Sequence, residues 1–230
     1  MSYYERLKNL TIFRIVNYGF SFFLNRILGF LLLSLLTKHL DQNIIGQYFM
    51  FINLQTILVS ASIFGIPSLI IKELSENLNS KVNGYLKYKV LFFSFLISTF
   101  LFLFFSFLIN TYYAQINYKY LIFLSCLFTL YNSILFYFFI SIKRIILGNF
   151  IDQILKYLLL IIFFIYLLFL NIKFTILHLI LLYSVVNIIT FFTFIFLIYK
   201  NKILNLEEAK KEIKYKEIKY KEYSKYFFTT

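Results

Sequence analysis

Apolar residues fall in long, nearly unbroken runs along the chain, and most charges fall between the runs. Six runs are long enough, or nearly so, to cross about 30 Å of hydrocarbon as helices. They occupy roughly 12–36, 44–71, 90–109, 120–142, 157–172 and 175–199. Runs of this length are too long for barrel strands, and only helices and closed barrels satisfy the backbone in lipid. The pattern therefore predicts an all-α integral membrane protein, with a six-helix lobe over 1–199 and a basic low-complexity tail over 200–230. Gly65-Ile66-Pro67, near the end of the second run, predicts a kink or hinge. The first run is too long for a secretory signal and lacks a small-residue cleavage site.

The charges between the runs set an orientation. With the N-terminus cytoplasmic, segments 1–14, 72–89, 143–156 and 200–225 hold nineteen of the 23 Lys and Arg. The three external loops hold one each, Lys38, Lys119 and Lys173. Basic residues concentrate on the cytoplasmic side of membrane proteins, so both termini are expected there. Asp152 and Lys156 read as an i,i+4 pair of structural role at the cytoplasmic start of the fifth helix. The tail repeat KEIKYKEIKYKEY reads as a solvated basic linker against anionic lipid headgroups.

Polar residues inside the runs carry the functional signal. In the first helix Thr11, Arg14, Asn17, Tyr18, Ser21, Asn25 and Gly29 follow i, i+3, i+4 spacing and share one face. Arg26 flanks that stripe. An arginine at the centre of a membrane helix costs about 2.5–3.5 kcal/mol, while each Leu, Ile or Phe returns about 0.3–0.6 kcal/mol. Its depth makes snorkelling hard, so Arg26 is expected to face an internal cavity. Weaker stripes are Asn53/Thr56/Ser60, Ser125/Thr129/Asn132 and Tyr183/Asn187/Thr190. Small and hydroxyl residues commonly serve helix packing in membranes. Four such helices around two almost wholly apolar ones nevertheless suggest a shared polar interior, with Asn53, Thr56, Asn132 and Asn187 as secondary cavity candidates.

Composition narrows the classes. Of the 230 residues 61% are hydrophobic and 14% charged, well below the charged share of a soluble domain. The net charge of +13 sits between the runs, a membrane-topology pattern and not a nucleic-acid one. The excess of Phe and Tyr with no Trp fits AT-rich coding and carries little weight. Cys126 is alone and His39 and His178 are far apart, so neither a disulfide nor a metal site is expected. No phosphate-binding loop is present. All ten acidic residues fall in or beside the expected loops, leaving no carboxylate for an intramembrane proton relay. No cofactor is expected, and catalysis has no candidate residues.

The run NRILGFLLLSLLTKHLDQNIIGQYFMFINLQTILVSASIFGIPSLIIKELSE resembles the opening of the polysaccharide-biosynthesis flippases, the Wzx-type O-antigen transporters of the multidrug/oligosaccharidyl-lipid/polysaccharide exporter superfamily. The features that carry the resemblance are Arg26, Leu28 and Gly29, then Lys38 and Leu40, then Gly46 and Tyr48. Gly65, Ile66 and Pro67 with Lys72 and Glu73 close the match. SIKRIILGNFIDQILKYLLL is similar to the family's fourth loop and fifth helix. Asp41 stands where the family has glycine, and Lys38 replaces the commoner arginine. The resemblance implies a carrier that moves undecaprenyl-diphosphate-linked oligosaccharide across the bacterial inner membrane by alternating access. On that reading Arg26 supplies charge for the diphosphate, Asn17, Ser21 and Asn25 hydrogen-bond the sugar head, and Arg14 assists capture at the cytoplasmic mouth. Family members face two such lobes across the cavity, so this chain is expected to be a truncated N-terminal lobe, needing a second lobe or a second copy of itself.

Two other classes compete. A non-catalytic accessory subunit of surface-polysaccharide (lipopolysaccharide) assembly would co-purify with a larger membrane partner. An O-antigen-polymerase-type membrane enzyme would need a large external loop, and the longest here is NTYYAQINYK. An exporter of small cations is disfavoured by Arg26 and by the absence of intramembrane acids.

Overall fold

A computed structural model describes the backbone of residues 3–76, 84–112, 119–171 and 173–201, and the side chains of 19–74, 87–107, 119–171 and 173–201. The chain is an all-α membrane protein. Its helices are α1 (Tyr3–His39), α2 (Gln42–Ser62), α3 (Ile66–Glu76), α4 (Gly84–Tyr112), α5 (Lys119–Ser141), α6 (Ile145–Asn149), α7 (Lys156–Phe169) and α8 (Ile176–Lys200). A π-helical turn, Phe150–Leu155, joins α6 to α7 without a break. Six stretches among the described residues are long and apolar enough to cross a membrane: Gly19–His39, Gln42–Ser62, Lys87–Phe107, Lys119–Ser141, Ile145–Phe169 and Ile176–Lys200.

Two expected boundaries change. The second run is two helices: α2 stops at Ser62 and α3 starts at Ile66, with Gly65 at φ 76° between them. That left-handed backbone suits glycine. Pro67 sits in the first turn of α3, where a missing N–H costs nothing. The fifth span begins at Ile145, twelve residues before the expected 157. Asn149, Asp152, Gln153 and Lys156 lie inside this helical span and not in a loop. Moving Lys156 out of the cytoplasmic count leaves the basic-residue bias intact.

The outside of the bundle is apolar. On α4, Phe92, Phe93, Leu96, Ile97, Phe100, Leu103, Phe104 and Phe107 are all exposed, a surface stable only against hydrocarbon. The opposite face of α4 repeats every four residues as Val90, Ser94, Ser98, Phe102 and Ser106, all buried. This helix is therefore not almost wholly apolar; its serine ridge lets α2, α3 and α5 approach closely.

Helix α5 is the hub, touching α2, α3, α4, α6 and α8. Leu130, Ile134, Leu135, Phe138 and Phe139 are fully buried, and Phe139 meets Phe194 of α8 at 5.2 Å between ring centroids. Polar clamps join the helices. Asn132 Nδ2 donates to the Asn187 carbonyl at 3.0 Å and to Thr190 Oγ1 at 2.8 Å, tying α5 to α8. Gln55 Nε2 donates to Thr129 Oγ1 at 2.7 Å and to Ser125 Oγ at 3.3 Å, tying α2 to α5.

Candidate functional site

A cleft of about 520 Å³ lies between α1, α2, the π turn, α7 and α8. Helix α1 contributes Asn25, Arg26 and Gly29, the π turn contributes Asp152 and Gln153, and α7 contributes Lys156 and Tyr157. Tyr48 of α2 and Tyr183 of α8 close the wall. Exposed Arg26, Phe30, Leu33 and Phe49 form its rim.

Arg26 lies on α1 within the candidate span Gly19–His39, and Asp152 and Lys156 lie seven and eleven residues into the candidate span Ile145–Phe169. The Arg26 guanidinium lies 4.9 Å from the Phe22 ring centroid. The Lys156 ammonium lies over the Tyr183 ring, 4.6 Å from its centroid, and Tyr183 is held edge-on by Phe51 at 5.7 Å. A ring face stabilises a cation taken out of water. Asp152 and Lys156 act on each other electrostatically, and Tyr157 feels Arg26, Lys156 and Asp152. Gly29 faces the Tyr157 ring, and a Cβ there would stand 3.7 Å from it, an ordinary contact.

Local sequence explains the placement. Asn149, Asp152, Gln153 and Lys156 follow i, i+3, i+4, i+7 spacing, the stripe pattern already evident on α1. The π turn coincides with the position of Asp152, and such turns occur frequently at functional sites.

The residues expected from sequence separate into groups. Arg26 and Asn25 line the cleft, and Asn25 Oδ1 is buried without a partner. Ser21 is buried on α1 one turn away and makes a contact of its own. Asn17 and Arg14 fall on α1, but their side chains lie outside the described residues, as does the tail beyond residue 201. Asn53 and Thr56 are exposed on α2 and are not part of the cleft wall, and the Thr56 hydroxyl donates to the Ile52 carbonyl at 2.8 Å. Asn132 and Asn187 are buried in the α5–α8 seam and do not line the cleft, because helix packing uses their amides. Gly65 and Pro67 flank the α2–α3 break.

Sequence reasoning did not bring Asp152, Lys156, Tyr157, Tyr48 and Tyr183 to the site: it gave Asp152 and Lys156 a structural role, and named Tyr183 only in a stripe and Tyr48 only in the family resemblance. It also held that no carboxylate lies within the membrane. The structure places Asp152 seven residues into the helical candidate span Ile145–Phe169 and not in a loop.

Two cations, one carboxylate and three tyrosines make a site suited to an anionic headgroup. Among the described residues no group of three or more His, Cys, Asp or Glu could hold a metal ion, and Cys126 is buried away from the cleft. Comparison with family models, curated proteins and solved structures found no match to this chain.

Proposed function

We propose that this chain is one lobe of a flippase that carries undecaprenyl-diphosphate-linked oligosaccharide across the bacterial inner membrane by alternating access. The observation that carries the reading is the cleft: two cations, Arg26 and Lys156, on the wall of a space between helices long and apolar enough to cross a membrane. Cations within membrane helices are costly and mark substrate pathways by default. A diphosphate needs such partners in a low-dielectric medium, and the fork of Arg26 bonds two oxygens at once. Asn25, with a free buried carbonyl oxygen, suits a sugar hydroxyl. The resemblance of residues 25–76 to the Wzx-type flippases points the same way.

The rim residues leave the cleft open on one side, and a second lobe, from another chain or a second copy, would close it. Surface-glycan display in a bacterium lacking its own flippase tests the reading. Arg26→Ala is expected to abolish display and Arg26→Lys to retain part of it. Full display with Arg26→Ala, at normal membrane abundance, would contradict the proposal.

A further inference from the structure

A diphosphate carried on a prenyl chain brings that chain into the lobe with it. Once a second lobe covers Phe30, Leu33 and Phe49, the rim offers the chain no exit. The cleft, however, is polarised along its helices. On α1 the lining residues Asn25 and Arg26 come first, and Leu32 and Leu36 follow. Toward α7 the order is the same: Asp152, Gln153 and Lys156, then Leu160. The charged residues therefore gather at one end and leucines at the other.

Two further spaces continue from the apolar end. The first is a small gap. Leu32, Leu36 and Leu160 line both it and the cleft, and Leu182 of α8 completes it with Phe164. All five are buried, and none of Arg26, Asp152 and Lys156 lines the gap. Lys156 and Phe164 are eight residues apart, about 12 Å at helical rise. Leu182 is also a wall of the second space, a groove of about 310 Å³ between α7 and α8. Tyr166, Leu181 and Val185 of that groove are exposed on the outside of the bundle.

We infer that this row of cavities is the path of the lipid tail. The chain leaves the bound diphosphate past Leu160, crosses between α7 and α8 at Leu182, and meets hydrocarbon at the groove. The inference rests on the anion-site reading above. The rim is made by α1 and α2 and the exit by α7 and α8, so closing the lobes does not trap the tail. Lipid tails are as apolar as leucine, so burying the chain adds no hydrophobic drive of its own. What the path supplies is direction: the head lies among the cations while every step of the tail has an apolar wall. The gap measures about 10 Å³, room for about one water. A chain passes when the leucines around it change rotamer, a movement that breaks no hydrogen bond of theirs.

The test uses the full chain in phosphatidylcholine nanodiscs, with a farnesyl diphosphate carrying a diazirine at the far end of its chain. Residues facing the bilayer capture such a probe without any site, so only capture that Arg26→Gln abolishes is counted. That fraction is expected within 163–167 and 178–185, the groove segments. It is expected to fall about tenfold in Leu182→Trp, whose bulk fills the gap. Leu182→Met, close to leucine in volume, is expected to match the wild type and reports on folding at this position. Arg26-dependent capture at Phe30, Leu33 or Phe49, or anywhere else outside the groove, would overturn the tail path and leave the anion site standing. Undiminished groove capture in Leu182→Trp would do the same. Absence of any Arg26-dependent capture would overturn the anion-site reading, and the path with it.

Discussion

The α5–α8 seam and the α1–α7 cleft are both polar, both within the membrane, and built to opposite ends. In the seam, Asn132 and Asn187 are fully buried; the Asn132 amide donates to the Asn187 carbonyl and the Thr190 hydroxyl of α8, and the Asn187 amide donates to the Tyr183 carbonyl one turn back. Space is absent and so is charge. In the cleft, Arg26, Asp152 and Lys156 line an open volume of about 520 Å³. Polarity inside a membrane helix is therefore a weak sign of function by itself. Ionisable groups facing a space are the stronger one, because packing alone gives no return on their desolvation.

The two regions should respond differently to substitution. The largest effect is expected from Arg26→Ala combined with Lys156→Gln. Two lost charge-assisted contacts at about 1.5–3 kcal/mol each should weaken farnesyl diphosphate binding at least a hundredfold, with little change in denaturant resistance. Titration calorimetry and an unfolding curve in mixed micelles would show whether the two properties separate. Gly148→Ala comes next. A Cβ at Gly148 would lie 3.2 Å from Phe139 Cβ and 3.4 Å from the Phe136 ring, on the tightly packed side. Overpacking of this kind costs about 1–3 kcal/mol, so the unfolding midpoint should fall while the folded fraction binds probe normally.

Asn132→Ala should cost about 1 kcal/mol, since hydrogen bonds between membrane helices average about 0.6 kcal/mol and reach about 1.7 kcal/mol. Probe affinity should not change; a large loss would mean that seam and cleft are coupled. Thr99→Val, which removes the 3.0 Å contact between the Thr99 and Tyr131 hydroxyls, should shift stability by about 0.6 kcal/mol or less.

The spans were legible because apolar length dominates the sequence, and the α2–α3 break was legible in Gly65 and Pro67. Arg26 stood out because apolar residues surround it. Asp152 and Lys156 were hidden for the converse reason. Lys143, Arg144, Asn149 and Gln153 stand close by, so the segment reads as a loop, although its polar residues keep helical spacing from Asn149 to Lys156. Applying to this segment the stripe rule used on α1 would have found the second half of the site. Tyr183 stood in a stripe with Asn187 and Thr190 and Tyr48 in a family motif, and only tertiary packing brings the two rings to one cleft. Asn132 and Asn187 show the opposite error: their stripe is real, but a helical face states a direction without saying whether a helix or a space lies opposite.

Access of water most directly tests the contrast between cleft and seam, and the chain carries its own control. Cys126, the one native cysteine, is fully buried and should not react with a membrane-impermeant methanethiosulfonate. Asn25→Cys and Asn132→Cys add one thiol to each region. The account predicts rapid labelling of Asn25→Cys, slowed by farnesyl diphosphate, and no labelling of Asn132→Cys above the Cys126 background. Equal labelling of the two positions, or an Asn25→Cys thiol as inert as Cys126, would contradict it.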